Sequence, residues 1–131
     1  MATRFCFVDY DRTMAIVAEI DVDNQREIIA VARMVADADH RNAEYAILVA
    51  DEWQGRGLGT LMTDYCIELC DSWGMDRVYA ETTVDNGRMQ NILRQHKFRQ
   101  KKSVDGEVLY ESLLNNRSTD SFPKKPAQTI G

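Results

Sequence analysis

The segment Gln54-Gly55-Arg56-Gly57-Leu58-Gly59-Thr60 decides the fold, because it sets three alternating glycines between a buried strand and a long helix. Glycine lets the backbone turn sharply and come close to a ligand. The first amides of the following helix lack intrahelical partners and lie at the positive end of its dipole. The segment therefore predicts a site for a phosphate or pyrophosphate, to which Arg56 adds charge and Thr60 a hydroxyl donor.

The helix after the glycines has the clearest periodicity in the chain. Its apolar residues recur at i, i+3, i+4 and i+7 from Leu58 to Trp73, with polar residues opposite, and Gly74 follows as a stop signal. The next β-rich run is Arg77–Val84. Because it is reached through a helix, we expect it to lie parallel to the strand before the glycines, in a right-handed crossover.

The rest of the chain predicts further strands and one short helix. Three strands joined by polar turns precede the glycines and indicate an antiparallel meander: Met14–Ile20, Glu27–Val35 and Ala43–Ala50. Three elements follow Val84: a helix Arg88–His96 capped by Asp85 or Asn86, and a hairpin of Phe98–Ser103 and Glu107–Leu114. The stretch Thr3–Arg12 reads as an irregular lead-in. We expect one domain over residues 1–114 and a flexible tail over residues 115–131.

Composition and charge narrow the functional classes. The chain has 131 residues, of which 44% are hydrophobic and 28% charged, as in ordinary globular domains. Its formal charge of −5 argues against broad nucleic-acid binding and suits a cationic substrate weakly. It leaves room for a local basic patch beside one phosphorylated cofactor, which Arg56 and Arg88 could supply. No apolar run spans a bilayer and no leader precedes the domain, so we expect a cytoplasmic protein without a membrane partner. Cys6, Cys66 and Cys70 fit neither a disulfide framework nor a zinc pattern, so we expect reduced thiols and no metal.

Two nucleotide-binding motifs fail at the glycine segment. A P-loop needs a lysine after its glycines, and none is present here. A dinucleotide fingerprint read from Gly57 would need a third glycine where Met62 stands. A glycine-rich turn that merely starts a helix is the remaining alternative, but three alternating glycines cost backbone entropy without any return in packing.

The pattern that fits is Gln/Arg-x-x-Gly-x-Gly/Ala, filled by Gln54, Gly57 and Gly59. At these residues the sequence resembles the GNAT acetyltransferase family. The run from Ala43 through Val49, followed by Asp51-Glu-Trp-Gln-Gly-Arg-Gly-Leu-Gly-Thr60, resembles bacterial Pat-type protein lysine acetyltransferases more closely, and so does Asp9-Tyr-Asp-Arg12 with Met14-Ala15. The resemblance covers roughly Phe5 to Leu114. It implies the acyl-CoA N-acyltransferase fold, with a mixed central sheet, a helix crossover, a C-terminal hairpin and shortened N-terminal helices.

The resemblance also implies a cosubstrate, acetyl-CoA, and roles for named residues. The strand residues Ile47, Leu48 and Val49 would offer backbone groups to the pantetheine arm. The pyrophosphate would be held by Gln54, Gly55, Arg56, Gly57, Leu58, Gly59 and Thr60. Asn86 would bond the pantetheine or the substrate region, and Glu44 takes the position of the general base. The acceptor would be an amine, either a protein lysine or a small amine.

Glu44 would have a definite chemical task. A lysine ammonium has a pKa of ~10.4, so it must lose a proton before its nitrogen can attack a thioester. A carboxylate held beside apolar neighbours such as Tyr45 and Ala46 can have its pKa raised and accept that proton. A backbone amide near Val49 is the expected donor to the oxyanion.

Three departures from the family pattern leave other functions open. Leu93 stands where many members carry a tyrosine acid, with Tyr110 as a substitute. Lys97 replaces the glycine that usually ends the second helix, so we expect a local rearrangement there. The N-terminus holds only a remnant of the helices that wall the acceptor groove, which predicts an open groove or one completed in a homodimer. The alternatives are a non-catalytic acetyl-CoA-binding regulatory module and a transferase with another acyl donor.

Overall fold

The structure, a computed structural model, describes residues 3–114. Within this range the chain forms nine main elements and a short 3-10 turn at Asp51–Trp53. The strands and helices, in chain order, are β1 (Arg4–Tyr10), β2 (Thr13–Val22), β3 (Gln25–Ala36), β4 (Asn42–Val49), α1 (Leu58–Ser72), β5 (Arg77–Thr83), α2 (Gly87–Gln95), β6 (Arg99–Val104) and β7 (Glu107–Leu113). The predicted tail, 115–131, lies outside the described residues.

The seven strands of residues 3–114 belong to one sheet in the order β1-β2-β3-β4-β5-β7-β6. Neighbours pair antiparallel except β4 and β5, which are parallel and connected through α1. The predicted meander, helix crossover and closing hairpin are therefore confirmed, as is the α/β (α+β) class with a mixed sheet.

Both helices pack on the same side of this sheet, which we call the helix face. The alternation of β2 buries Met14, Ile16, Ala18 and Ile20 there, as a strand with one covered face should. Cys66 and Cys70 of α1 are buried free thiols, and burial raises the pKa of both, that of Cys70 to about 12. A raised pKa keeps these thiols protonated and unreactive, which makes them core residues.

The opposite side of the sheet, which we call the open face, is not covered by a helix of residues 3–114. Its residues include Val35, Glu44 and Leu48, and the Leu48 side chain is 78% exposed. Among the described residues, no helix is both long enough and apolar enough to cross a membrane.

The prediction of an irregular lead-in at Thr3–Arg12 is wrong. Residues Arg4–Tyr10 form the regular strand β1, which pairs with β2 along its whole length. Phe5 and Phe7 alternate onto the helix face and meet the Tyr65 ring edge-on, at centroid distances of 5.5 and 5.9 Å. The acidic and aromatic residues of the stretch hid this alternation, and no helical remnant precedes β2 in the described range.

The end of α2 also differs from expectation. The predicted rearrangement at Lys97 does not occur: the Phe98 amide donates to Leu93 O at 3.0 Å, and the Lys97 amide to Arg94 O at 3.0 Å. These bonds close the helix end in the usual way. Lys97 achieves this by taking the left-handed conformation itself, with φ 70°.

Candidate active site between the fourth and fifth strands

The sheet opens between β4 and β5. These strands pair only from Asn42 to Glu44 on β4 and from Arg77 to Tyr79 on β5, and beyond this point they diverge. The edge of β4 that faces β5 therefore has no ladder partner from Tyr45 onward. Backbone amides and carbonyls strongly require partners, so such an edge accepts an extended ligand like an additional strand.

A groove on the helix face follows this opening down to the start of α1. It consists of two adjoining cavities of about 280 and 260 Å3, which share Val49, Gln54, Gly59, Arg88 and Ile92. The first also contains Ile47, Asp85, Asn86, Gly87 and Met89, and the second Gly55, Gly57, Thr60, Asn91 and Gln95. We call the whole the splay groove.

The glycines give the splay groove its shape at the start of α1. Gly55 and Gly57 have left-handed φ values of 77° and 88°, a region that residues with side chains rarely adopt. The first bond that enters α1 runs from the Leu61 amide to Gly57 O at 3.0 Å. The amides of Leu58, Gly59 and Thr60 therefore precede any intrahelical bond, and the dipole adds positive potential at this end. Such an arrangement binds anions.

Gln54 links three parts of the groove. Its amide nitrogen donates to Val49 O at 3.1 Å and to the Asp51 carboxylate at 3.3 Å. Its amide oxygen accepts a hydrogen bond from the Arg88 guanidinium at 2.8 Å. The end of β4, the glycine loop and α2 are therefore held together through one side chain, with the Arg88 charge beside the free amides of α1.

Gly59 lies where α1 and α2 approach each other closely. A Cβ added there would lie 3.0 Å from Ile92 Cδ1, tighter than ordinary contact. The Gly59 carbonyl accepts from Thr63 Oγ1 at 2.7 Å, and the Tyr45 hydroxyl lies 2.5 Å from the same Thr63 oxygen. Because Thr63 donates to the carbonyl, Tyr45 donates to Thr63. Burial raises the pKa of Tyr45, so this phenol remains a neutral anchor between β4 and α1.

Asn86 begins the other helix of the groove. Its side-chain oxygen accepts from the Met89 amide at 3.0 Å, which confirms the predicted N-terminal cap of α2. The side-chain nitrogen of Asn86 remains available at the cavity wall. The cap therefore fixes the orientation of this side-chain amide, which the sequence assigned to the ligand region.

Three of the predicted cofactor residues do not bring their side chains into the groove. Arg56 stacks over the Trp53 ring at 4.8 Å and lines a separate cavity beside β1, together with Leu58. Leu48 points to the open face. Leu58 can contribute its backbone amide. The positive charge at the groove comes from Arg88, the other arginine that the sequence offered for a phosphorylated cofactor.

Glu44 is an exposed residue of the open face, at the apex where the strands begin to diverge. Within residues 3–114 its carboxylate has no hydrogen-bond or ion-pair partner. The expectation that Tyr45 shields it is wrong, since consecutive strand residues point to opposite faces and Tyr45 is buried against α1. Ala46 does share the open face with Glu44.

The motif missed one face of α2. Arg88, Asn91, Ile92 and Gln95 follow one another at helical spacings and line the groove together, with Met89 beside them. These residues have the spacing i, i+3, i+4, i+7 in the sequence, but three of the four are polar. They form no apolar stripe, so the pattern did not indicate that this face of α2 lines a site. Tyr110, considered as an acid, instead donates from its buried hydroxyl to Gln90 Oε1 at 2.8 Å.

Known proteins with similar sequences are acetyltransferases. Acetyltransferase PA5475 of Pseudomonas aeruginosa is 26% identical over 85 residues, covering 65% of this chain and 46% of that protein. Spermidine N(1)-acetyltransferase of Escherichia coli K12 is 30% identical over 82 residues, covering 60% of this chain and 40% of that protein. The alignment thus spans less than half the length of either relative.

Solved structures and the family model agree with these relatives. The GNAT domain of PAT from S. lividans is 28% identical and superposes with a TM-score of 0.68, over 82% of this chain and 65% of that one. The seven-stranded mixed sheet with two helices is therefore the GNAT fold. The model of the acetyltransferase (GNAT) family, whose members use acetyl-CoA, matches residues 2–98. The chain belongs to the GNAT acetyltransferase family.

Proposed function

We propose that this chain transfers the acetyl group of acetyl-CoA to an amine. The observation that carries the proposal is the splay groove, an unpaired strand edge that leads from the free amides of α1 to Glu44. This shape matches a ligand with a diphosphate at one end, an extended arm in the middle and a reactive group at the other end.

The cofactor would lie along the groove in a defined direction. Its pyrophosphate would meet the amides of Leu58, Gly59 and Thr60, with Arg88 and Gln54 alongside. Its pantetheine arm would pair with the outer edge of β4 and lie over Ile47 and Val49, which face the groove. The thioester would then reach the apex, where the open face gives access to an acceptor.

Glu44 is the residue we assign to the proton transfer. The acceptor ammonium first loses a proton to the Glu44 carboxylate, directly or through one water. The free amine nitrogen then attacks the thioester carbonyl, and a β4 amide beyond the apex stabilises the oxyanion. The carbon–sulfur bond breaks, the nitrogen gives up its second proton to solvent as the amide forms, and coenzyme A leaves as a thiolate that takes up a proton from solvent.

The acceptor we favour is a protein lysine or a small amine. The open face carries no covering helix in the described range, so a large acceptor can approach Glu44. The sequence resemblance to Pat-type protein lysine acetyltransferases favours a lysine, and the similarity to the spermidine enzyme favours a polyamine. A homodimer that covers this face would restrict the choice to small amines.

A non-catalytic acetyl-CoA-binding module is the second candidate. The observation in its favour is Leu93, fully buried at the position where a tyrosine acid would stand. The Tyr110 hydroxyl is held by Gln90 and does not line the splay groove, so it offers no replacement. Coenzyme A thiolate is a good leaving group, which is why we rank catalysis first.

Thiol release during an acceptor screen separates the two candidates. The wild-type protein is incubated with acetyl-CoA and a panel of polyamines, amino acids and lysine peptides, and free coenzyme A is followed over time. Steady release above the hydrolysis rate with at least one acceptor supports catalysis. Tight binding of acetyl-CoA without release for any acceptor would establish the regulatory module instead.

A further inference from the structure

A second cavity lies at the far edge of the sheet. It has a volume of about 500 Å3, larger than either part of the splay groove, and shares no lining residue with it. The residues that line it come from the end of α2, from β6 and from β7: Lys97, Arg99, Gln100, Lys101, Glu111, Ser112 and Leu113. We call this the edge cavity.

The edge cavity is positively charged, although the chain carries a formal charge of −5. Its one carboxylate, Glu111, is already engaged by Arg77 and by Lys101, whose Nζ lies 3.4 Å from Glu111 Oε2. Within residues 3–114, Lys97 and Arg99 have no ion-pair partner. Two unbalanced cations therefore remain at the cavity wall.

Lys97 is the unusual member of this set. It holds a left-handed φ of 70° at the end of α2, where glycine is the residue that fits without strain. Lysines on an edge strand commonly prevent unwanted strand pairing, and this accounts for Lys101 and Lys102 on β6. Lys97 precedes the strand, so edge protection does not explain why a strained position carries a cation.

We propose that the edge cavity binds a small molecule with more than one oxyanion group, held by Lys97 and Arg99. Arg99 offers a planar fork of donors for a carboxylate or phosphate, and Lys97 adds a compact charge with three donors. The cavity volume falls within the ~300–1,000 Å3 typical of small-molecule sites. The shared chemistry is the oxyanion, and the source is either a polycarboxylate or a phosphate compound.

Calorimetric titration with citrate and with inorganic pyrophosphate tests the proposal at constant ionic strength. Lys97→Gly should weaken binding by about tenfold while raising the melting temperature, because glycine relieves the left-handed strain. Arg99→Gln should weaken binding similarly without raising the melting temperature. Lys102→Gln is the matched control, since it removes a cation from β6 that does not line the cavity, and binding should be unchanged.

The anion titrations do not depend on acetyl transfer, so they test the edge cavity separately from the proposed function. Saturable binding that is lost in Lys97→Gly and Arg99→Gln but kept in Lys102→Gln supports the site, and the tighter of the two anions identifies the ligand source. No saturable binding of either anion at millimolar concentration would overturn it. Equal weakening by all three variants would also overturn it, since that is the behaviour of diffuse surface charge.

Discussion

Glu44 on β4 and Tyr79 on β5 are register partners, and they are the last pair before the two strands separate. This pairing places Glu44, the carboxylate that the sequence assigned as general base, at the apex of the splay. The groove for the cofactor lies on the helix face, further along β4 than Glu44. The Glu44 side chain itself lies on the open face. The relationship joins the two halves of the proposed function, cofactor binding and proton transfer, at one point of the sheet.

We expect Gly57→Ala to lose both stability and affinity for acetyl-CoA. At the Gly57 φ of 88°, a residue with a Cβ destabilises the fold by about 1–2 kcal/mol. The loop would relax to relieve this strain and would move the first amides of α1. Gly74→Ala is the control, because Gly74 has φ 78° just after α1, at the opposite end of that helix from the groove. It should lose similar stability in urea and keep its affinity. Equal affinity in both variants would contradict the placement of the pyrophosphate.

Gly59→Ala should narrow the splay groove through Ile92. The added Cβ would meet Ile92 Cδ1 at 3.0 Å, and the isoleucine end would have to move into the space shared by both cavities. We expect acetyl-CoA affinity to fall about tenfold, and to recover in the double variant with Ile92→Val, which removes that methyl. Additive losses in the double-mutant cycle would show that the two positions are not coupled.

The buried chain from Tyr45 through Thr63 to Gly59 predicts unequal effects of its two hydroxyls. Tyr45→Phe removes one donor and leaves Thr63 bonded to the Gly59 carbonyl, at a cost of about 1 kcal/mol. Thr63→Val leaves the buried Tyr45 hydroxyl without its partner, at a cost of about 2 kcal/mol or more. Urea unfolding of the two variants measures the order. A larger loss in Tyr45→Phe than in Thr63→Val would contradict the expected order.

Glu111 should make part of the stability dependent on pH. The hydrogen bond from Arg77, with Lys101 nearby, lowers the pKa of the Glu111 carboxyl in the folded state. Its contribution is therefore complete above the unfolded pKa of about 4.3 and disappears as the pH falls through the lower folded value. Between pH 6 and pH 3, Glu111→Gln should lose less stability than wild type. Glu107→Gln, an exposed change at the start of β7, should follow the wild-type curve.

The glycine segment and the α1 periodicity were readable from the sequence because local rules act there. Glycine is the residue that adopts the left-handed backbone found at Gly55 and Gly57 without strain. The apolar stripe of α1 is stable only when it is buried, here against the sheet. β1 was not readable, because its pairing with β2 is a tertiary effect that overrides a run of charged and aromatic residues.

The sequence also did not predict which side chains point into the groove. The motif places Arg56 next to the glycines, but stacking on Trp53 turns its guanidinium away from the groove. Arg88 provides the charge instead, from a helix 34 positions along the chain from Gln54. Such contacts between distant segments depend on how α2 docks, which no local pattern specifies.

The rate of coenzyme A release by Glu44→Gln tests the central claim most directly, with the acceptor found in the screen. Glu68→Gln serves as the control, since it removes the same charge from an exposed position of α1. We predict that Glu44→Gln keeps the wild-type affinity for acetyl-CoA, loses about 100-fold or more in kcat and loses the rise of rate with pH, while Glu68→Gln matches wild type. Wild-type kcat in Glu44→Gln, at unchanged affinity, would contradict the assignment of Glu44 as the base.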